Sequence, residues 1–383
     1  MDTQQNVAVP AGLSAENPLK NAFHPPAIEA WARRLGALDA SFDERSFLTV
    51  MFDGWQELTF GQRAQRITST LEQFLPSEFA VAAQLLVAAL DPPLGEDDPP
   101  ALYRFYVWPQ ASWVAQRGRQ TGDFDTTAHA LKELTQRFSA EGDLRALFDI
   151  DPVRALNTLT QWVREPDVHV RRLVSEGTRP RLPLAARWKL FDDHPQPIFD
   201  LLDALKDDPA LYVRRSVANN LNDWAKICPD RVAELLVTWA EGAGPERRWL
   251  VDHGSRTLVK RGHPLALGLK GVDVEQTWEV RELQVDEASL VRGGVLSFTY
   301  QLIHTGTSPA EAVADFFFGP WPGSRHAKVF KGRRVKSSGG QTVVMEGRRS
   351  LIDTSGRTWR TGPHRLAIQV NGKILAEVVV TLV

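Results

Sequence analysis

The sequence has few of the features that mark secreted, membrane or metal-binding proteins. Its 383 residues include one cysteine, Cys228, so no internal disulfide can form and a structural zinc site is not expected. It has no apolar run of about 18 residues, and residues 1–10 are polar without a basic segment. We therefore expect a protein of the reducing cytoplasm that is neither secreted nor inserted in a membrane.

Motifs for common cofactors and nucleophiles are also missing. The chain contains no glycine-rich phosphate-binding loop and no nucleophile elbow around a serine. His169, His194, His253 and His263 have no zinc-like spacing with one another or with carboxylates. We expect neither a cofactor nor a metal ion.

An excess of charge of either sign is lacking as well, since the formal net charge is −2, which by itself argues against a nucleic-acid-binding protein. The charges are nevertheless segregated along the chain. Residues 169–189 contain six Lys or Arg and one acid, Glu176, and residues 325–336 contain six basic residues and no acid. These two segments have the charge that a polyanionic partner requires.

Apolar residues recur at helical spacing from residue 25 to about residue 267, as at Ile28, Trp31 and Leu35. The pairs Asp151-Pro152 and Asp208-Pro209 indicate helix starts, because an acidic cap residue precedes a proline in the first turn. The spacing predicts a mainly α region made of short helices.

After Gly268 the pattern changes to short β-branched and aromatic runs separated by turn residues. About seven strands in this region indicate an antiparallel sandwich of the immunoglobulin-like type. The clearest predicted strands are residues 296–302, 314–318, 341–346, 364–370 and 374–383. We predict three segments: a flexible leader (1–17), a helical domain (18–267) and an all-β domain (268–383).

A degenerate repeat runs through the helical region. Val170-Arg171-Arg172 recurs 43 residues later as Val213-Arg214-Arg215, and a further arginine pair, Arg247-Arg248, follows after another 33 residues. Repeats of this length with helical pattern are typical of a HEAT-like helical-repeat solenoid. We therefore predict such a solenoid, followed by the all-β sandwich.

The repeat places acids in register with the arginine pairs. Glu141, Glu176 and Asp223 are expected to converge on one cleft if the helices stack as HEAT pairs. Carboxylates inside a basic groove repel phosphate, which suggests that the group recognised is itself cationic. The alternative is structural: arginine pairs that bridge to acids of the next repeat tie the stack together. Likewise, Trp224, Trp239 and Trp249 are more typical of a core than of a stacking surface.

Longer segments resemble a known family. Residues 168–183, together with residues 17–21, 134–141 and 213–226, are similar to the HEAT-like DNA glycosylases of the AlkC and AlkD family. Residues 362–366 and 369–372 resemble the immunoglobulin-like domain that one AlkC subgroup carries. The resemblance covers nearly all of residues 17–383. It implies excision of positively charged alkylated bases, chiefly 3-methyladenine and 3-methylcytosine, by hydrolysis of the N-glycosidic bond in double-stranded DNA.

The resemblance also implies roles for particular residues. The family's active-site acids correspond to Glu141, Glu176 and Asp223. Asp223 and Glu176 are expected to contact the deoxyribose and the attacking water, and Glu141 the methylated base or the water. The candidate phosphate contacts are Arg171, Arg172, Arg179, Arg181, Arg214, Arg215, Arg247, Arg248, Lys331, Arg333 and Arg334.

Further expectations concern the type of enzyme. No lysine stands in the repeat register near the acids, so a monofunctional glycosylase without a Schiff-base lysine is expected. It would act as a monomer on DNA containing alkylated bases, in the cytoplasm and at the nucleoid. The basic residues 325–336 would form a second clamp on the duplex.

The chain departs from the family's pattern at two positions. Leu184 stands where relatives have a tryptophan, and Gly142 stands where they have a bulky apolar residue. Both changes leave the three carboxylates intact, but they bear on the rate and the substrate range. The alternative function is a non-catalytic HEAT-repeat scaffold or lesion-binding module.

Overall fold

A computed structural model of the chain describes residues 19–95, 104–183, 185–273, 275, 277–286, 289–321, 328–354 and 358–383. The predicted leader (1–17) and Leu184 lie outside the described residues, as does part of the basic segment 325–336. Helices occupy the first part of the chain and strands the last. The predicted fold class is confirmed.

Contacts divide the chain into two compact units, residues 1–220 and 221–383. The division falls inside one long helix, Leu211–Trp224. The last helix ends at Gly268 and the first strand begins at Trp278, while the domain boundary near residue 268 stays a prediction. Within the described residues, no helix combines the length and the apolar character needed to cross a membrane.

The helices are short and apolar on one face. Ile28, Trp31, Ala32 and Leu35 all lie on the buried face of the first of them, as their spacing predicts. Two 3-10 turns, Leu19–Ala22 and Trp55–Glu57, accompany the α-helices. The α-helices are α1 (Pro25–Leu38), α2 (Glu44–Phe52), α3 (Phe60–Phe74), α4 (Phe79–Ala88), α5 (Val107–Thr121), α6 (Phe124–Thr135), α7 (Arg145–Ile150), α8 (Pro152–Trp162), α9 (Val168–Gly177), α10 (Gln196–Leu205), α11 (Leu211–Trp224), α12 (Pro229–Ala240), α13 (Pro245–Gly254), α14 (Arg256–Lys260) and α15 (Pro264–Gly268).

One predicted helix start is confirmed and the other is displaced. Asp151 caps α8 by accepting a hydrogen bond from Arg154 N at 2.9 Å, and Pro152 is the first helical residue. By contrast, α11 begins at Leu211, two residues beyond Asp208-Pro209. The carbonyl oxygens of Asp208 and Pro209 accept hydrogen bonds from Arg214 Nη1, at 2.5 and 2.7 Å, which holds this segment outside the helix.

The same arginine contact occurs in three helices. Arg171, Arg214 and Arg248 are each the fourth residue of their helix, and each donates to the carbonyl oxygen five residues earlier, at 2.7, 2.7 and 3.0 Å. We call this contact the arginine tie. It ties the loop that enters each helix to the first turn of that helix.

The ties define the structural register of the repeat. Counted from the helix start, Arg248 corresponds to Arg171 and Arg214, so the sequence alignment of the third copy was wrong by one residue. Position five is Arg172 in α9, Arg215 in α11 and Trp249 in α13. Position nine is Glu176, Asn219 and His253, respectively, and not Asp252 in the third helix.

The C-terminal region consists of two sheets. One has the strand order β1-β3-β6 and the other β2-β8-β7-β4-β5; all pairs are antiparallel except the short β2–β8 pair. The strands are β1 (Trp278–Val285), β2 (Ser289–Leu290), β3 (Val295–His304), β4 (Ala310–Pro320), β5 (Lys328–Ser337), β6 (Thr342–Ser350), β7 (Gly362–Val370) and β8 (Lys373–Leu382). The five strands named from sequence are confirmed within these bounds, apart from one or two end residues.

Side chains from both sheets form the core of the sandwich. Phe298 on β3 meets Phe316 on β4 with ring centroids 5.0 Å apart. Gly347 on β6 lies directly against the Phe298 ring, since an added Cβ would stand 2.0 Å from Cζ. The strands β1 and β5 were not named from sequence. In β5, five of the ten residues are Lys or Arg, which obscures its apolar positions. In β5, the basic residues occupy a strand that pairs with β4 through its backbone.

Candidate active site

Helix α9 presents Glu176 and is held at both ends. Asp167 caps its first turn by accepting hydrogen bonds from His169 N and Val170 N, at 2.9 and 3.0 Å. Near its end, a Cβ added to Gly177 would stand 2.3 Å from Leu144 Cδ2. Glycine therefore lets α9 approach the turn 140–144 closely, and that turn contains Glu141.

The carboxylate of Glu176 is enclosed by donors. Its side chain is 7% exposed, with Arg179 Nη1 at 2.5 Å and Arg172 Nη2 at 3.5 Å from Oε1, while the Ser216 hydroxyl donates to Oε2 at 2.6 Å. Burial alone would raise the pKa of Glu176, but Arg172, Arg179 and Ser216 outweigh it and hold that pKa below its usual value. Glu176 is therefore a fixed anion that accepts hydrogen bonds and has no proton to give.

Glu141 shares a cation with Glu176. Its Oε2 lies 2.9 Å from Arg172 Nη2 and accepts a hydrogen bond from the Ser139 hydroxyl at 2.8 Å. Arg172 Nη1 donates to the same hydroxyl oxygen at 2.8 Å, and the guanidinium lies 5.3 Å from the Tyr212 ring centroid. The structure thus brings Glu141 and Glu176 to one guanidinium. With its side chain 25% exposed, Glu141 is the more accessible of the two acids.

Asp143 was missed by sequence reasoning. Its Oδ2 atom is enclosed and has no hydrogen-bond partner among the described residues, although the residue as a whole is half-buried. Burial raises the pKa of Asp143 to about 7; Glu141 adds to this rise, whereas the Ser112 hydroxyl and Arg119 oppose it. A carboxyl that titrates near neutrality therefore lies two residues from Glu141. Sequence carries no signal for it, because the shift depends on enclosure.

Asp223 lies near the C-terminal end of α11, in the second compact unit. Its side chain is 6% exposed, and its Oδ1 lies 2.9 Å from Lys226 Nζ. Ser216, Asn220 and Asp223 share one face of this helix by their spacing of four and three residues. The convergence of Asp223 with Glu141 and Glu176 stays a prediction. A lysine outside the repeat register, Lys226, is thus in direct contact with one of the proposed acids.

Several arginines predicted to contact phosphate are engaged within the protein. Arg171 lies 2.7 Å from the buried Asp208 carboxylate and also makes its tie, and Arg214 is buried in a tie of its own. Arg172 and Arg179 hold Glu141 and Glu176. Of these four, Arg171 makes the bridge to an acid before the next repeat helix that the alternative interpretation of the arginine pairs predicts.

The remaining predicted cations are more accessible. Arg247 is half-buried, whereas the others are exposed: Arg181, Arg215, Arg248, Lys331, Arg333 and Arg334. Arg334 forms an ion pair with Glu311 and donates to the carbonyl of Lys270. The exposed side chains are therefore those best placed for a polyanion.

The other residues singled out from sequence differ in position. Trp224 and Trp239 are buried in the core, whereas Trp249 is half-buried and stacks on His253, with ring centroids 4.9 Å apart. Among the described residues, no group of three His, Cys, Asp or Glu side chains is arranged to hold a metal ion. A Cβ added to Gly142 would meet no described atom within 4 Å, so packing does not demand glycine there.

Comparisons with known proteins cover both parts of the chain. The sequence model of a family described as "Uncharacterised protein YhaZ, C-terminal Ig-like domain" matches residues 279–383. An uncharacterised protein, YhaZ from Bacillus subtilis (strain 168), is 28% identical over 357 residues, which is 93% of this chain and 97% of that protein.

A solved structure is similar over almost its whole length. The Pseudomonas fluorescens alkylpurine DNA glycosylase AlkC, bound to DNA containing an abasic site analog, is 30% identical with a TM-score of 0.81. The match covers 95% of this chain and 99% of that one. Fold and sequence thus define a helical-repeat protein with a C-terminal immunoglobulin-like domain. The chain belongs to the AlkC family, in the form that carries this additional domain.

Proposed function

We propose that this protein is a DNA glycosylase that hydrolyses the N-glycosidic bond of positively charged alkylated bases, 3-methyladenine and 3-methylcytosine. The observation that carries the proposal is the pair Glu141 and Glu176 on the single guanidinium of Arg172, with Glu176 kept anionic. The likeness to AlkC, an alkylpurine DNA glycosylase, supports the reaction class.

The chemistry suits fixed anions. The water oxygen bonds to C1′ of the deoxyribose while the bond from C1′ to the base breaks, and its electron pair neutralises the cationic base. A carboxylate accepts the proton that the water releases. The base needs no proton to leave, so an acid without a proton to give, such as Glu176, is sufficient.

The roles follow from exposure and charge. We assign Glu176 and Asp223 to the deoxyribose, where preorganised negative charge stabilises the developing oxocarbenium ion. Glu141, which is more accessible, takes the attacking water or the methylated base. The exposed cations, among them Arg181, Arg215 and Arg333, would contact phosphates of a double-stranded DNA, which the protein binds as a monomer at the nucleoid.

The ion pair of Lys226 with Asp223 bears on the reaction type. Lys226 Nζ lies 2.9 Å from Asp223 Oδ1, so this side chain is already engaged within the protein, which disfavours its use as a nucleophile on C1′. We therefore propose a monofunctional enzyme. Incubation with substrate DNA and borohydride is expected to give no covalent protein–DNA adduct, and a trapped adduct lost in Lys226→Ala would contradict this.

The proposal is tested by base release from a duplex treated with a methylating agent, with the released bases identified by chromatography. The parent is expected to release 3-methyladenine or 3-methylcytosine, and Glu176→Gln and Asp223→Asn are expected to lower the rate by roughly 100-fold or more. Duplex affinity should hold or rise in both variants, because negative charge is removed.

Glu165→Gln provides a matched control for Glu141→Gln. Glu165 is similarly half-exposed and lies 2.7 Å from one cation, Lys132, outside the site. It should release bases at the parent's rate, whereas Glu141→Gln should be slower. Absence of base release at protein concentrations where the duplex is bound would overturn the enzyme proposal and support a lesion-binding scaffold. The first variants to make would then replace Leu184 with the family's tryptophan and Gly142 with a bulky apolar residue.

A further inference from the structure

A basic cleft lies within the second compact unit, outside the acidic site. Its volume is about 630 Å³, which lies in the range of small-molecule sites. Helices α13 and α14 form one wall and strands β4 and β5 the other. Its lining includes Trp249, His253, Lys260, Asp315, Lys331 and Arg333.

Three cations of this cleft form no direct ion pair within the described residues, although Lys260 and Lys331 oppose the rise that burial causes in the pKa of Asp315. Lys260, Lys331 and Arg333 are exposed, and within the described residues their side chains form no hydrogen bond or ion pair. The neighbouring Lys270, by contrast, is paired with Asp252. Asp315 is buried at the base, where it accepts a hydrogen bond from Gly332 N at 2.8 Å. Three exposed positive charges against one buried carboxylate make the cleft attractive to anions.

The helical wall also carries two aromatic rings. Trp249 and His253 are positions five and nine of α13, and their rings stack with an interplanar angle of 16°. Both residues line the cleft and both are half-buried, so part of each ring remains accessible from the cleft. Flat aromatic rings and exposed cations in one cleft match a ligand that has both a π-face and a phosphate.

We propose that this cleft binds one unpaired nucleotide of a DNA strand, with the base against Trp249 and the adjoining phosphates on Lys260, Lys331 and Arg333. A duplex offers phosphates to cations but keeps the faces of its bases stacked, so it leaves the aromatic rings of the cleft without a partner. A free phosphate has no face to offer. The inference rests on the proposed function only in taking DNA as the ligand.

The test compares two fluorescent oligonucleotides on the full-length protein. One is an octamer of thymidylates, and the other is an octamer of abasic residues, which has the same phosphates and no bases. The parent is expected to bind the thymidylate octamer roughly tenfold more tightly, since stacking of one base supplies this much. Equal affinity for the two octamers overturns the proposal.

Variants of the cleft residues test whether the preference for the thymidylate octamer arises in the cleft. Trp249→Ala should remove it, whereas Trp321→Ala should retain it; Trp321 is a matched control because it is 40% exposed in the same unit and does not line the cleft. The pair Lys331→Ala and Arg333→Ala lies on the exposed surface and should weaken both octamers by a similar factor. If Trp249→Ala fails to fold, Trp249→Leu takes its place. A preference that Trp249→Leu leaves unchanged overturns the proposal, and so do octamer affinities that the pair Lys331→Ala and Arg333→Ala leaves unchanged.

Base release from methylated duplex is measured with the same preparations. A parent that releases bases but does not prefer thymidylate contradicts this inference alone. A parent with a preference that depends on Trp249 but without base release contradicts the proposed function alone.

Discussion

Helices α9 and α13 start from the same local design and differ in what they present. Each ties its entry loop with an arginine at position four. At positions five and nine, α9 carries the ion pair of Arg172 and Glu176, whereas α13 carries the stacked rings of Trp249 and His253. Position four therefore maintains the repeat, and positions five and nine, one helical turn apart, are free to take on different chemistry.

The largest expected effect comes from removing the shared cation at position five of α9. Arg172→Leu leaves Glu141 and Glu176 beside each other without their common partner. We expect base release to fall roughly 100-fold and the free energy of unfolding to fall by roughly 3 kcal/mol. Arg215→Leu alters the equivalent, exposed position of α11 and should change stability by less than about 0.5 kcal/mol. An equal loss of unfolding free energy in Arg172→Leu and Arg215→Leu would contradict the different roles assigned to position five in the two helices.

The ties at position four should differ in strength. Arg171→Met leaves the buried Asp208 carboxylate without its cation and should lower the free energy of unfolding by roughly 3 kcal/mol in urea titrations. Arg248→Met removes one part-buried hydrogen bond to Ala243 O, with no carboxylate involved, and should cost about 1 kcal/mol. A larger loss for Arg248 would show that burial does not set the strength of the tie.

The pH dependence of stability separates two carboxyls near α9. Asp143 has a pKa raised from 3.8 to about 7, so the folded chain holds a proton that unfolding releases, and stability falls as pH rises between these values. Asp143→Asn should therefore be more stable than the parent by roughly 2 kcal/mol at pH 8 and no more stable at pH 4.

Glu176 should behave in the opposite way. Its pKa is lowered, so its contribution to stability is present above its usual value of 4.5 and is lost as the pH falls below it. Urea titrations of Asp143→Asn and the parent from pH 4 to pH 8 check the first sign, and Glu176→Gln over the acidic range checks the second. If the unfolding free energies of Asp143→Asn and the parent change in parallel with pH, the pKa of Asp143 is not raised.

The smallest expected effect is at position nine of α13. His253→Gln removes an aromatic ring but no carboxylate, so base release from a duplex should stay within about twofold of the parent. The same assay on Glu176→Gln, at the equivalent position of α9, should show the full loss. A strong loss in His253→Gln would mean that the two helices share a chemical role.

Sequence predicted the architecture well, because periodicity and turn residues report burial directly. The spacing of Ile28, Trp31 and Leu35 gave a correct helix face, and the strands after Gly268 were recognised as β-branched and aromatic runs between turn residues. The register of the third repeat was wrong by one residue, since the letters Arg247-Arg248 align equally well in two ways. Only the helix start and the tie of Arg248 distinguish them.

The site was predictable in its acids but not in their surroundings. Glu141 and Glu176 were chosen by repeat register, and the structure brings them to one cation. The division of labour among the arginines depends on burial: Arg171 and Arg214 are enclosed, whereas Arg215 is exposed one residue further along. Two adjacent arginines therefore have opposite environments, and a single sequence does not indicate which of the two is buried.

The arginine tie has a consequence for how such chains diverge. Because each tie closes within five residues, it does not depend on the length of chain between one repeat and the next. The tie arginines are 43 residues apart in the first interval and 34 in the second, yet the local geometry is the same. Insertions and deletions between repeats are thus absorbed without loss of register, and the family can lengthen or shorten its connections while each helix keeps its own alignment.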